Sequence, residues 1–270
     1  YSYYKTMSIY NDLIVSSKNI NQLTSIQKRK ISQIANNCIL IDKKLFLNYR
    51  FFGDYAEDLY LSLRLLRNSY KICYLYSRAI IHSHNRDCLY YFKVNYKDRK
   101  SVIPVLEDKP FEWNLFDLNL FIKSIIIFYK VCKFIINKYE FDELIKNIKV
   151  LFFENLNSNQ LILSIEDDVE NFFYNINPEF FDINKNLKID NEIINILFGN
   201  YYNQLLNFKE FLSTYGVAEE NELKDTILKI CISVCGSMFG DYYCFLKEKN
   251  FISTNIEPHT DIHIFKIVSL

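Results

Sequence analysis

Apolar residues recur at helical spacing over most of the chain. Leu59, Leu63 and Leu66 fall at i, i+4 and i+7 and predict a helix that opens at Glu57-Asp58 and ends at Asn68-Ser69. Upstream, Thr24 or Ser25 is placed to cap a helix running to about Ala35, and Asp42 to cap a brief helical turn over DKKLFLNY. The short apolar run Cys38-Ile39-Leu40-Ile41 reads as a buried strand, and Phe51-Phe52-Gly53-Asp54 as a loop. Tyr70 to Tyr76 and Ala79-Ile80-Ile81 read as two strands, with His82-Ser83-His84-Asn85 directly after the second. A helical pattern resumes from Asp87 to Lys100.

Pro104 to Pro110 marks a boundary, and beyond it the period is helical almost throughout. Helices are expected over 114–138, 139–156, 160–176, 191–214 and 219–248, with a polar connection from Pro178 to Asp190 and a weakly alternating terminal strand in IHIFKIVSL. The last helix carries Gly236 and Gly240 as GxxxG, a spacing that lets another helix approach closely. The expected class is therefore α/β followed by mostly α, with one domain over 1–103 and a helical domain over 111–270.

Composition changes this picture little. Gly (5) and Pro (4) are scarce, which favours helices over a sandwich of short strands. The 32 basic and 32 acidic residues cancel, which argues against an electrostatic nucleic-acid binder. The basic run Lys28-Arg29-Lys30 reads as a solvated helix face, with a phosphate or membrane contact as the alternative, and Lys123, Lys130, Lys133 and Lys138 form a stripe that reads either as a solvated face or as a contact with anionic lipid. The 7 cysteines lack any CxxC pair and read as reduced, mostly buried thiols of an intracellular protein, with Cys231 and Cys235 on one helix face. No apolar run is long enough to predict a membrane-spanning helix. The chain starts at Tyr1 without an initiator Met and is expected to be a segment of something longer.

Chemistry concentrates between Tyr55 and Asn85. An acid pair in the first turn of a helix suits the positive end of the helix dipole, and most such pairs do only that. It also places a carboxylate where a substrate can approach, within reach of acting as a general base toward a hydroxyl. His82 and His84, at i and i+2, share one face if the strand continues through them, and a His beside a carboxylate site suits a divalent metal or a phosphate. The plainer reading is a pair of surface or hydrogen-bonded histidines.

In order, Glu57-Asp58, Leu61-Ser62-Leu63-Arg64, Tyr70-Lys71-Ile72 and Ala79-Ile80-Ile81-His82-Ser83-His84-Asn85 resemble the closing part of the catalytic domain of family 2 glycosyltransferases, nearest to rhamnosyltransferase-like members acting on bacterial surface polysaccharides. The upstream NNCILIDKKLF is similar to the strand and helix that precede the acid pair there, so the resemblance covers about residues 36–100. It implies the C-terminal half of a GT-A domain, a nucleotide-sugar donor, a saccharide or lipid-linked acceptor, and an inverting single displacement. The expected location is cytoplasmic, at the inner face of the membrane if the acceptor is lipid-linked. The resemblance assigns Asp58 as general base, Glu57 as an orienting acid, His82 to the donor diphosphate or its divalent metal (Mg or Mn), and His84 as a secondary partner. Arg64 is expected to brace the helix. Two departures stand out: Ser69 occupies the place of the usual Gly, and the nucleotide-binding half with its DxD metal motif is absent from these residues. Glu166-Asp167-Asp168 and Asp241 lie in helical sequence and do not replace it. The alternative is a non-catalytic helical scaffold or interaction module that retains a transferase remnant.

Overall fold

A computed structural model describes residues 13–15, 20–32, 39–53, 55–74, 86–114, 117–158, 190–215 and 219–251. Among them the chain is mostly helical. Two short strands, β1 (Leu13–Val15) and β2 (Ile72–Tyr74), pair antiparallel, with Leu13 opposite Tyr74 and Val15 opposite Ile72. The α-helices are α1 (Ser25–Ser32), α2 (Lys43–Tyr49), α3 (Glu57–Arg67), α4 (Cys88–Leu106), α5 (Leu118–Lys138), α6 (Phe141–Leu156), α7 (Asn191–Tyr215) and α8 (Glu220–Glu248). The chain divides into two compact units, one of residues 1–85 and 97–110, the other of 86–96 and 111–270.

Aspartates start many of these helices. Asp42, Asp87, Asp117 and Asp190 each accept a backbone N–H three residues on, from Leu45, Tyr90, Leu120 and Ile193, which satisfies a donor that the first turn leaves unpaired. Thr24 caps α1 reciprocally: its N–H donates to Gln27 Oε1 at 3.0 Å, and the Gln27 N–H donates to Thr24 Oγ1 at 3.2 Å.

The first unit is built on α3. Leu59, Leu63 and Leu66 are buried with Ile20, Ala56, Ile72, Val102 and Leu106. The helix ends as its sequence suggests. The Tyr70 N–H reaches back to Leu65 O and the Ser69 N–H to Leu66 O, with Ser69 at φ +65°. A side chain in that left-handed conformation carries a steric cost that glycine avoids. Ser69→Gly is therefore expected to raise the stability of this unit by about 0.5–1 kcal/mol, read as an upward shift of the denaturant midpoint.

Two expectations fail in this unit. Residues 39–42 are not a strand, and Leu40 is fully exposed at 101%. An apolar run of this length needs neighbouring strands to pair with, and the strand pairing in the described residues joins only β1 to β2. The run Lys28-Arg29-Lys30 is not simply a solvated face either. Lys28 is only 5% exposed, and its Nζ donates to Leu106 O at 3.4 Å and to Glu107 at 3.2 Å. Glu107 also takes Arg67 at 2.8 Å, and the hydrogen bond from Lys28, with Arg67 beside it, holds its carboxyl below the usual carboxylate range. Both pairs converge on a residue that itself sits at φ +57°, closing α4.

The second unit gathers α5, α6, α7, α8 and the first half of α4 around a core rich in aromatic rings. Phe121 stacks on Tyr242 at 3.9 Å, Trp113 meets Phe121 edge-on at 5.0 Å, and Phe152 lies 4.7 Å from Phe198. Asp241 is 1% exposed and accepts the Phe111 N–H at 2.8 Å and the Trp113 indole N–H at 3.4 Å, so it fastens the segment entering α5. Gly236, the first glycine of the GxxxG, lies against the backbone of Phe92 in α4.

Cys132, Cys231 and Cys235 are buried together in this core, and burial pushes all three thiols up. They are packing residues with no thiolate to offer. Beside them the Tyr201 hydroxyl is wholly buried and has no hydrogen-bond partner among the described residues. Desolvating a hydroxyl without pairing it costs about 1–3 kcal/mol. Tyr201→Phe keeps the ring and removes that cost, so a gain of about 1 kcal/mol in unfolding free energy is expected; a loss would mean that the hydroxyl is satisfied by a buried water.

The predicted helix over 160–176, the strand over 79–81, the terminal strand and Glu166-Asp167-Asp168 lie outside the described residues.

Candidate active site

The acids that open α3 line a cavity in the first unit. Its volume is about 260 Å³, and its walls are Arg29, Tyr55, Ala56, Glu57, Asp58, Leu59, Asp98 and Val102. Three elements position these groups. α3 presents Glu57 and Asp58 from its first turn, α1 contributes Arg29, and the second half of α4 contributes Asp98 and Val102.

The entry to α3 is held by backbone strain rather than by a cap. Ala56 precedes the helix at φ 58°, ψ 25°, without a side-chain hydrogen bond to cap the first turn. A left-handed Ala costs roughly 1–2 kcal/mol. It persists because Ala56 is buried in the core and its carbonyl accepts the Tyr60 N–H at 3.0 Å. Strain of this kind concentrates where a chain must aim particular side chains. Here it aims the acid pair at the cavity.

Asp58 is half-buried. Its Oδ1 accepts the Leu59 N–H at 2.7 Å, and its backbone carbonyl accepts the hydroxyl of the fully buried Ser62 at 2.7 Å. The Leu59 contact fixes the carboxylate on the first turn, and the Ser62 contact ties that turn through its backbone. Glu57 is half-buried beside it. Opposite them the Arg29 guanidinium donates to Asp98 at 3.0 Å. The wall therefore carries three carboxylates against one guanidinium that is already bonded to a carboxylate. Carboxylates accept from hydroxyl donors, so such a wall suits a hydroxyl-bearing ligand.

Glu57 and Asp58 both line this cavity. His82 and His84 lie outside the described residues. Among the described residues no group of three His, Cys, Asp or Glu side chains is placed to hold a metal ion, so the cavity acids alone do not make a metal seat. Arg64 braces the local structure, with its guanidinium 5.3 Å from the Tyr49 ring centroid and 5.6 Å from that of Tyr60. Sequence reading missed Arg29, Asp98 and Tyr55 as parts of the site. Arg29 and Asp98 are 69 residues apart, and only the chain fold makes them neighbours.

Comparison of the chain with protein-family models, with curated proteins and with solved structures finds no match. No helix of the described residues is long and apolar enough to cross a membrane.

Proposed function

We propose that the chain carries the acceptor side of an inverting glycosyltransferase of GT-A type, acting on a nucleotide-sugar donor at the cytoplasmic side of a membrane. The observation that carries the reading is the polar cavity on which Glu57 and Asp58 open together, beside Tyr55. Ser69 adds to it: the residue standing where the resembled pattern has Gly adopts the left-handed conformation that glycine favours.

In this mechanism the acceptor hydroxyl donates to Asp58. As its oxygen attacks the anomeric carbon, the proton passes to the Asp58 carboxylate. The new carbon–oxygen bond forms while the bond to the nucleoside diphosphate breaks on the opposite face, so the configuration inverts. Glu57 orients the acceptor through its other hydroxyls. His82 belongs to the proposal as the donor-diphosphate contact or as a ligand of a divalent metal, with His84 secondary. A metal would neutralise diphosphate charge.

A second reading is a helical interaction module that retains a transferase remnant. It is favoured by the sheet, which among the described residues is only a two-stranded antiparallel pair. The two readings separate on one assay. A chain that also contains a nucleotide-sugar-binding half is given donor and acceptor, and the anomeric configuration of the product is read by proton NMR. Inverted product is expected. Retained configuration would remove the inverting mechanism, and no transfer with any donor of a broad panel would remove the enzyme reading.

A further inference from the structure

The stretch from Ile39 to Gly53 contains no buried residue, although more than half of its side chains are aliphatic or aromatic. α2 turns Leu45, Phe46 and Tyr49 inward, where they are half-buried, and leaves Lys43, Lys44, Leu47 and Asn48 exposed. Leu40 before the helix is 101% exposed, and Phe51 and Phe52 after it are 38% and 69% exposed. These side chains are held in place. Phe51 packs edge-on to Phe46 at 5.4 Å, Phe52 lies 5.4 Å from Tyr60, and Tyr49 meets Tyr70 at 5.6 Å. Exposed phenylalanines held against neighbouring rings offer a surface that can meet something apolar.

The charge on the same stretch selects the partner. Lys43, Lys44 and Arg50 are its bases. Its sole acid is Asp42, whose carboxylate accepts the Leu45 N–H at 2.9 Å as the helix cap. A second copy docked through this face about a two-fold axis would set these bases against their own equivalents. An anionic bilayer surface satisfies both features: phenyl and leucyl groups enter the headgroup–acyl boundary while lysine and arginine stay at the phosphates.

We propose that α2 and the Phe51-Phe52 loop dock the chain on anionic lipid membranes. The proposal stands apart from the transferase reading and from the lysine stripe of α5. The test is co-sedimentation of the full chain with phosphatidylcholine vesicles with and without phosphatidylserine. Binding to the phosphatidylserine vesicles is expected, weakening as salt is raised. Phe51→Ser with Phe52→Ser is expected to weaken it roughly tenfold or more, and Lys43→Gln with Lys44→Gln by roughly fivefold per charge. Lys43 and Lys44 are exposed, so the circular dichroism melt of the lysine variant should match that of the parent; Phe52→Ser alone, at the more exposed ring, gives the apolar readout where loss of both rings lowers the melt. Three results would overturn the proposal: no binding to phosphatidylserine vesicles, binding unchanged in these variants but lost with Lys123→Glu, Lys130→Glu and Lys138→Glu, or a concentration-dependent dimer that Phe52→Ser abolishes.

Discussion

Gly236→Ala is expected to destabilise the second unit by about 3 kcal/mol or more. A Cβ at Gly236 would lie 2.4 Å from the Phe92 carbonyl oxygen and 3.1 Å from its carbonyl carbon and Cα. Those are backbone atoms of α4, so no side-chain rotation relieves the clash. Either α8 and α4 move apart or the turn of α4 deforms. Separation would loosen the packing around Phe92 and Tyr96, whose rings lie 6.4 and 5.5 Å from Phe239. For a unit of this size the loss corresponds to a fall of roughly 6–12 °C in melting temperature. Gly199→Ala is the matched control, since nothing lies within 4 Å of the position its Cβ would take on α7. That substitution is expected to be neutral or to stabilise by up to about 1 kcal/mol, because Ala outranks Gly within a helix. Thermal unfolding of both variants, followed by circular dichroism, checks the pair. Equal melting temperatures would mean that the close approach of α8 to Phe92 does not exist in solution.

What could be read from sequence was what depends on neighbours along the chain. The caps at Thr24 and Asp42, the opening of α3 at Glu57, its close at Asn68-Ser69 and the close-packing glycine at 236 all follow from local rules. Readings that depended on distant partners failed. Lys28 looks solvated beside Arg29 and Lys30, but its ammonium finds Glu107 79 residues later. Ile39-Leu40-Ile41 looks like a strand, but strand identity is set by pairing. The strand that does form, Leu13–Val15, has no clean alternation and exists through its ladder with Ile72–Tyr74. The candidate site divides on the same line. Its acid pair is contiguous and legible, whereas Arg29 and Asp98, which form another part of its wall, are joined only by the fold.

Asp58→Asn carries the largest expected effect on function. A positioned general base contributes about 10²–10⁴-fold to proton transfer in the transition state, equivalent to roughly 3–5 kcal/mol of barrier. Asparagine is nearly isosteric, and its Oδ1 still accepts the Leu59 N–H that orients Asp58. The variant should therefore fold like the parent and bind acceptor with little change in KM, with its loss falling on kcat. In the proposed mechanism Glu57 only orients the acceptor, so the loss in Glu57→Gln should be smaller and fall mainly on KM. The decisive measurement is the rate of sugar transfer from a nucleotide-sugar donor by a chain that includes the nucleotide-binding half, compared between the parent and Asp58→Asn at matched stability. A fall in kcat of at least about a hundredfold is expected. Transfer at the parent rate would show that the carboxylate at the head of α3 is not the base.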